Sequence, residues 1–164
     1  MVVPLRAASQ HQSGGDAAAP PAVLADRMGF LLKHAQLRYQ AIQQPALAPF
    51  DLDGRLLAVL ALMATEGPAL QARLSERLQV DRTTMVALVD ALEHRGLVER
   101  KRDPLDRRGH QVTITKKGGN VLQQALAVTD AAERDFLDPL SRDEQHQFRA
   151  LLARLAVVAD RRSS

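Results

Sequence analysis

The sequence of 164 residues contains no cysteine. Disulfides, thiolate nucleophiles, cysteine-ligated zinc and thiol-based redox sensing are therefore excluded for these residues. A sequence without cysteine also fits the reducing environment of the cytoplasm, so we expect a cytoplasmic protein.

Aromatic residues and long apolar runs are scarce as well. Phe, Trp and Tyr together make up 3% of the residues, which argues against single-strand binders that stack bases on aromatic side chains. No apolar run reaches the roughly 18 residues that a membrane-spanning helix requires. The N-terminus also lacks the apolar core of a signal peptide. These absences predict a soluble protein that does not contact a membrane.

Motifs that carry catalysis or bind metal are missing too. The sequence has no G-x-S-x-G, phosphate loop, G-x-G-x-x-G or cluster of histidine with acidic residues, so an enzyme is not expected. The five histidines lack the H-x-x-H and H-x-x-x-H spacings of zinc sites. We therefore expect neither a metal nor a cofactor.

One basic segment, VERKRDPLDRRGHQVTIT, stands out against this background. Between Arg100 and His110, five basic residues face two acidic ones, a net charge of +3 that equals the formal net charge of the whole chain. A short basic protrusion on an otherwise neutral protein is typical of phosphate contact, although a solvated loop can have the same composition.

The N-terminal third is predicted to hold a tail and two helices. Residues 1–21 include SGGDAAAPP and show no apolar periodicity, which predicts a disordered tail. Apolar residues at three- and four-residue spacing predict a helix from about residue 22 to 44, ending near Pro45. A second helix is predicted to begin after Asp53 as N-cap and to stop at Gly67 and Pro68.

Two short helices joined by a tight turn follow. Leu74 and Leu78 form one apolar stripe. The second stripe consists of Met85, Leu88, Val89 and Leu92. Only Gln79 and Val80 separate the helices before Asp81, a second N-cap, and Gly96 ends the second helix. This is the pattern of a helix-turn-helix.

Alternating residues on both sides of the basic segment, in LVERKRD and HQVTIT, predict a β-hairpin. The fold class expected is mainly α with a small β-hairpin wing, a winged helix-turn-helix accompanied by further helices. These helices carry apolar stripes, and Ser141 with Glu144 forms a capping box that begins the last one. The stripe residues are Leu122, Ala125, Leu126, Phe148, Leu151, Leu152, Leu155 and Val158. They pack either within the monomer or against a second copy, and the apolar character of the end helices favours a homodimer.

From about Leu24 to Gly118 the sequence resembles the MarR family of bacterial transcriptional regulators. The resemblance lies in LSERLQVDRTTMVALVDALEHRGLVER, DPLDRRGHQVTIT and the T-x-x-G of Thr115 to Gly118. It implies a DNA-binding winged helix-turn-helix domain over residues 51–115 and a helical dimerisation region formed by residues 22–50 and 116–164. The implied function is a ligand-responsive repressor that binds a palindromic operator in double-stranded DNA as a homodimer.

The first turns of a recognition helix face base edges in the major groove. Candidate DNA contacts there are Arg82, Thr83, Thr84 and Val86, and in the wing Arg102, Arg107 and Arg108. A wing arginine can enter the narrow minor groove of A·T-rich DNA. Two alternatives stay open: these side chains are solvated, or the winged helix contacts another protein instead of DNA.

Three positions depart from the family pattern. Ala87 stands where many relatives have a basic residue, Leu70 replaces the usual Ser or Thr cap, and Gln79 replaces the usual turn glycine. Loss of the cap or of the glycine costs about 1 kcal/mol each.

Many members of the family respond to small aromatic or lipophilic anions. His34 and Arg38 are spaced one helical turn apart and are the candidate anion partners. The alternative is a solvent-facing helix surface. Tyr39 is either a ligand contact or a packing residue.

Overall fold

The computed structural model describes residue 24 and residues 26–102 and 110–157. The predicted tail, Arg107, Arg108 and Val158 lie outside the described residues. The helices are α1 (Met28–Leu47), α2 (Gly54–Glu66), α3 (Gln71–Leu78), α4 (Arg82–His94), α5 (Lys116–Leu137) and α6 (Arg142–Val157), with a 3-10 turn at Ala48–Phe50. The strands are β1 (Ala69–Leu70), β2 (Val98–Arg102) and β3 (His110–Ile114). This confirms a mainly helical fold with a wing.

The first helix lies where the sequence predicts it. α1 begins at Met28, after a turn in which the Arg27 N–H donates to the Leu24 carbonyl at 3.0 Å, and the predicted start near residue 22 lies outside the described residues. The helix continues past Pro45 to Leu47. A proline near a helix end removes one N–H but leaves the following residues free to stay helical.

The beginning and end of α2 match the prediction. Asp53 Oδ1 accepts hydrogen bonds from the backbone N–H groups of Arg55 at 2.9 Å and Leu56 at 2.8 Å. Gly67, with φ at 80°, ends the helix. The residues that α2 buries are Leu56, Leu57, Val59, Leu60 and Met63, so this helix forms the centre of the core.

The helix-turn-helix is also confirmed, including its departures from the family pattern. Leu70 occupies the N-cap of α3 without a side-chain hydrogen bond to the helix. Gln79 adopts the left-handed conformation with φ at 51°, which glycine adopts with little steric cost. The turn between α3 and α4 therefore keeps its left-handed conformation although glutamine adopts it less readily than glycine.

The wing belongs to a three-stranded antiparallel sheet with the order β1-β3-β2. The β2–β3 hairpin was expected, whereas β1 was not: its Ala69 pairs with Val112 and its Leu70 with Gln111. Side chains exposed by less than 2% come from α1, α2, α3, α4, α5, β2 and β3, and they form one core. They include Leu60, Met63, Leu74, Met85, Val89, Leu92, Val98 and Val112.

The two C-terminal helices differ in burial. α5 buries Leu122 and Ala125 of its predicted stripe, whereas the residues of α6 up to 156 are exposed or half-buried. Leu151 is 55% exposed and Leu155 is 68% exposed. The capping box of α6 is confirmed: the Ser141 N–H donates to Glu144 Oε2 at 2.8 Å and the Glu144 N–H to Ser141 Oγ at 3.4 Å.

Candidate nucleic-acid interface

The first turn of α4 is fixed by its cap. The Thr84 N–H donates to Asp81 Oδ1 at 2.9 Å, and the Thr84 hydroxyl donates to Asp81 Oδ2 at 2.6 Å. These bonds hold the pKa of Asp81 below its ordinary value, with the Thr84 hydroxyl as the largest cause. The single hydroxyl proton of Thr84 is thus engaged within the protein, although Thr84 was predicted as a DNA contact.

The exposed face of α4 contains the other predicted readers. Arg82, Thr83 and Val86 are exposed, and so are Ala87 and Asp90 further along the helix. The opposite face is formed by Met85, Val89 and Leu92, which are buried in the core. The exposed face of α4 therefore begins with Arg82 and Thr83 and continues with the apolar Val86 and Ala87 before Asp90.

Arg100 does not project from the wing with the other basic residues. Its guanidinium donates to the carboxylates of both Asp90 and Glu93 on α4, and its backbone N–H donates to Glu93 Oε1 at 3.1 Å. Burial lowers the pKa of Arg100, but the two carboxylates outweigh it and the net shift is upward. Arg100 thus ties β2 to α4, a role that the sequence did not reveal.

Two basic residues of β2 remain at the surface. Lys101 Nζ lies 2.7 Å from Glu99 Oε1, and the Arg102 side chain is exposed. Arg107 and Arg108, predicted at the wing tip, lie outside the described residues. Of the described basic residues in this segment, Lys101 and Arg102 are therefore the ones placed where phosphate can reach them.

The T-x-x-G motif connects the base of the wing to the end of α4. Thr115 Oγ1 accepts from the Gly118 N–H at 3.0 Å and donates to the Gly96 carbonyl at 2.8 Å. The Thr115 N–H donates to the Leu97 carbonyl at 3.0 Å. A Cβ on Gly118 would lie 2.0 Å from that same carbonyl oxygen, so only glycine fits here.

The two residues predicted to bind an anion have aromatic neighbours. The His34 ring stacks on Phe30 with a centroid distance of 3.9 Å. The guanidinium of Arg38 lies 5.8 Å from the centroid of the Phe136 ring, a cation–π geometry. The described residues therefore place both side chains beside aromatic rings.

Tyr39 is a packing residue in this structure. Its ring meets Phe136 edge-on at 5.5 Å, and its hydroxyl accepts a hydrogen bond from Gln43 Nε2 at 2.9 Å. Burial is the largest cause of its raised pKa. An apolar cleft of about 260 Å³ lies beside it. The cleft is lined by Tyr39, Glu133, Phe136, Leu137, Phe148, Arg149 and Leu152.

Across residues 26–102 and 110–157, histidine and acidic side chains form no group of three that could hold a metal ion. Within the same part of the chain, no helix is both long and apolar enough to span a bilayer.

Comparison with known proteins agrees with this architecture. Residues 50–109 match the MarR family model. The transcriptional regulator HosA of Escherichia coli O111:H- is 31% identical over 105 residues, which cover 64% of this chain and 78% of HosA.

Two solved structures extend the likeness. The transcriptional repressor CouR bound to a 23-mer DNA duplex has a TM-score of 0.78 and 33% identity, with 82% of this chain and 96% of CouR covered. The PcaV regulator of Streptomyces coelicolor in complex with its natural ligand has a TM-score of 0.74 and 29% identity, with 83% and 96% covered. The fold and the exposed helix thus define a winged helix-turn-helix DNA-binding protein. More specifically, the chain belongs to the MarR family of transcriptional regulators.

Proposed function

We propose that this protein is a cytoplasmic repressor that binds a palindromic operator in double-stranded DNA as a homodimer and responds to a small ligand. The exposed face of α4 carries this proposal, because Arg82, Thr83 and Val86 project from a helix whose opposite face is buried. The DNA-bound structure of the related CouR supports it. Residues 51–115 would form the DNA-binding domain, and residues 22–50 and 116–164 the dimerisation region.

In this proposal α4 enters the major groove and the wing contacts the backbone. Arg82 can donate two hydrogen bonds to guanine, and Thr83 can bond a base or a phosphate. Thr84 contributes indirectly, since its bonds to Asp81 order the first turn. Arg102, Arg107 and Arg108 would supply positive charge to phosphates or the minor groove. Half-sites of the two subunits would lie about 10 base pairs apart.

The DNA-binding proposal is tested by separating base reading from phosphate contact. Arg82→Ala should lose about 1 to 3 kcal/mol on the operator and relax preference at one position of each half-site. The double variant Arg107→Ala/Arg108→Ala should weaken operator and random duplex alike. Its slope of log affinity against log salt should become shallower by about one unit for each lost phosphate contact.

Fluorescence anisotropy over a salt series measures both effects. Arg142→Ala removes one positive charge at the beginning of α6, as Arg82→Ala does in α4, and serves as the control that should keep the wild-type slope. A protein that binds no duplex at low salt would be a protein-contact module, and the proposal would be wrong.

Support for the proposed homodimer comes from α6. Its exposed leucines, Leu151, Leu152 and Leu155, form an apolar surface, and contact of such a surface with water is unfavourable. Analytical ultracentrifugation at micromolar concentration tests this part of the proposal, and a monomer would contradict it.

The ligand proposed is a small aromatic or lipophilic anion, with His34 and Arg38 as its partners. PcaV has been solved with its natural ligand, and CouR of Rhodococcus jostii RHA1 with p-coumaroyl-CoA. A panel of aromatic carboxylates and their thioesters should contain compounds that release the protein from DNA. Arg38→Ala should weaken that release without changing DNA affinity in the absence of ligand.

A further inference from the structure

Two apolar residues on the exposed face of α4 do not belong to the hydrophobic core. Val86 is 42% exposed and Ala87 is exposed beside it. Val86 lies one helical turn after Arg82, on the same side of the helix. A β-branched residue gains little from such a position, because it loses rotamer freedom in a helix while its side chain stays partly exposed. Packing in the core therefore does not explain Val86.

The neighbouring polar groups are already engaged within the protein. Asp81 accepts the hydroxyl proton of Thr84, and Asp90 accepts a hydrogen bond from Arg100. Asp90 is consequently held by a guanidinium and is less able to accept from a cytosine amino group. Arg82 and Thr83 stay as the polar readers on this face, with an apolar surface directly after them.

The charge around this surface favours DNA over an apolar protein partner. β2 carries the exposed side chains of Lys101 and Arg102, and Arg100 joins this strand to α4. Two exposed basic side chains thus lie on the strand that Arg100 joins to α4. In the major groove, thymine is the base that presents a methyl group, at its C5 position.

We propose that Val86 and Ala87 make α4 a reader of thymine methyl groups. Each half-site would then combine a guanine bound by Arg82 with adjacent A·T pairs whose thymine methyls contact Val86 and Ala87. This inference rests on the proposed function, since it requires α4 to lie in the major groove. It names the chemistry that the apolar part of the helix recognises.

Replacing thymine by deoxyuridine tests the inference, because the exchange removes the methyl group and leaves base pairing intact. An operator is first selected by the wild-type protein from a pool of random duplexes. Exchange of the half-site thymines should weaken binding about threefold to fivefold for each contacted methyl group, in line with the transfer free energy of one such group. Val86→Ala should weaken binding to the duplex that contains thymine. The ratio of the affinity for this duplex to the affinity for the deoxyuridine duplex should fall towards one.

Two controls isolate the methyl contact. Deoxyuridine placed outside the half-sites should leave affinity unchanged. Leu70→Ala removes an apolar side chain of similar exposure, 43%, from the N-cap of α3 and should keep the wild-type ratio.

The outcomes separate this inference from the function on which it rests. If the wild-type protein binds its operator with a steep salt dependence but does not distinguish thymine from uracil, the methyl inference is overturned and the proposed function stands. Selected half-sites without thymine, or a ratio unaffected by Val86→Ala, would overturn it in the same way. If no duplex is retained at any salt concentration, both are overturned together.

Discussion

The winged helix-turn-helix buries its apolar residues, whereas the last helix leaves its apolar residues exposed. Leu74, Met85 and Val112 are almost completely buried between helices and sheet, whereas Leu151 and Leu155 on α6 are more than half exposed. Both regions have comparable apolar patterns in the sequence. Amphipathic periodicity thus identifies a face that needs cover, but does not say whether the cover comes from the same chain.

Polar contacts sharpen the difference between the two regions. In the winged helix-turn-helix, Arg100 and Thr115 connect elements that are distant in the chain. On α6 the described contacts are a local capping box, hydrogen bonds from Gln145 Nε2 to the Leu137 and Leu140 carbonyls, and an exposed ion pair between Arg149 and Glu133. We therefore expect substitutions in the first region to affect folding and substitutions on α6 to affect assembly.

The largest effect is expected at the junction of α5 with the wing. Gly118→Ala would place a methyl group against the Leu97 carbonyl oxygen, and this backbone cannot move without disturbing the sheet. We expect a loss of about 3 kcal/mol or more in the free energy of unfolding.

Gly119→Ala is the matched control, because nothing lies within 4 Å of its added Cβ. It should stabilise α5 by about 0.5 to 1 kcal/mol. Urea unfolding of both variants decides the matter, and equal stabilities would show that the T-x-x-G contact is not required for the fold.

The next effect concerns assembly and depends on the proposed homodimer. Leu151→Ala/Leu155→Ala removes apolar surface from both subunits, so the dimer should dissociate at least roughly tenfold more easily. Far-UV circular dichroism should stay as in the wild type. Gln147→Ala on the same helix is the control for sedimentation equilibrium. A wild-type dissociation constant would place the subunit interface elsewhere.

Local chemistry explains which features the sequence could predict. Asp53, Asp81 and Ser141 were recognised as caps because a cap depends on residues only two or three positions away. Gly96 was recognised by the same local reasoning as the end of α4, whereas the turn position of Gln79 was recognised from the family pattern, and both residues have positive φ.

Features that depend on distant residues could not be predicted. Arg100 was counted as part of a basic wing, since only the fold brings it to Asp90 and Glu93. The two residues of β1 form a strand only because β3 lies beside them. The glycine of T-x-x-G was recognised as a motif, but its reason, the close Leu97 carbonyl, is tertiary.

A smaller effect is expected at a buried polar residue of the winged helix-turn-helix. Ser75 is buried in α3, and its Oγ has no hydrogen-bond partner among the described residues. Ser75→Ala should therefore stabilise the protein by about 1 kcal/mol, because a buried hydroxyl without a partner is costly.

Ser141→Ala should act in the opposite direction, since it removes the exposed cap of α6 and costs about 1 kcal/mol. Thermal unfolding of the two variants compares them directly. A destabilised Ser75→Ala would mean that the hydroxyl has a partner after all.

The smallest effect is a pH dependence at the N-terminus of α4. Because the folded-state pKa of Asp81 is lowered, its charge contributes stability that is present above the unfolded value of 3.8 and is lost as pH falls through the folded value. Asp81→Ser keeps a capping oxygen but has no charge. The difference in Tm between wild type and this variant should be constant above about pH 5 and should shrink below about pH 4.

Thr84→Val, which removes the hydroxyl donor, should reduce the pH-dependent part of this Tm difference, because the bond from that hydroxyl is the largest cause of the lowered pKa of Asp81. A Tm difference that persists unchanged into strong acid would show that the cap acts through its oxygen alone, and the ordering of the recognition helix would then not depend on charge.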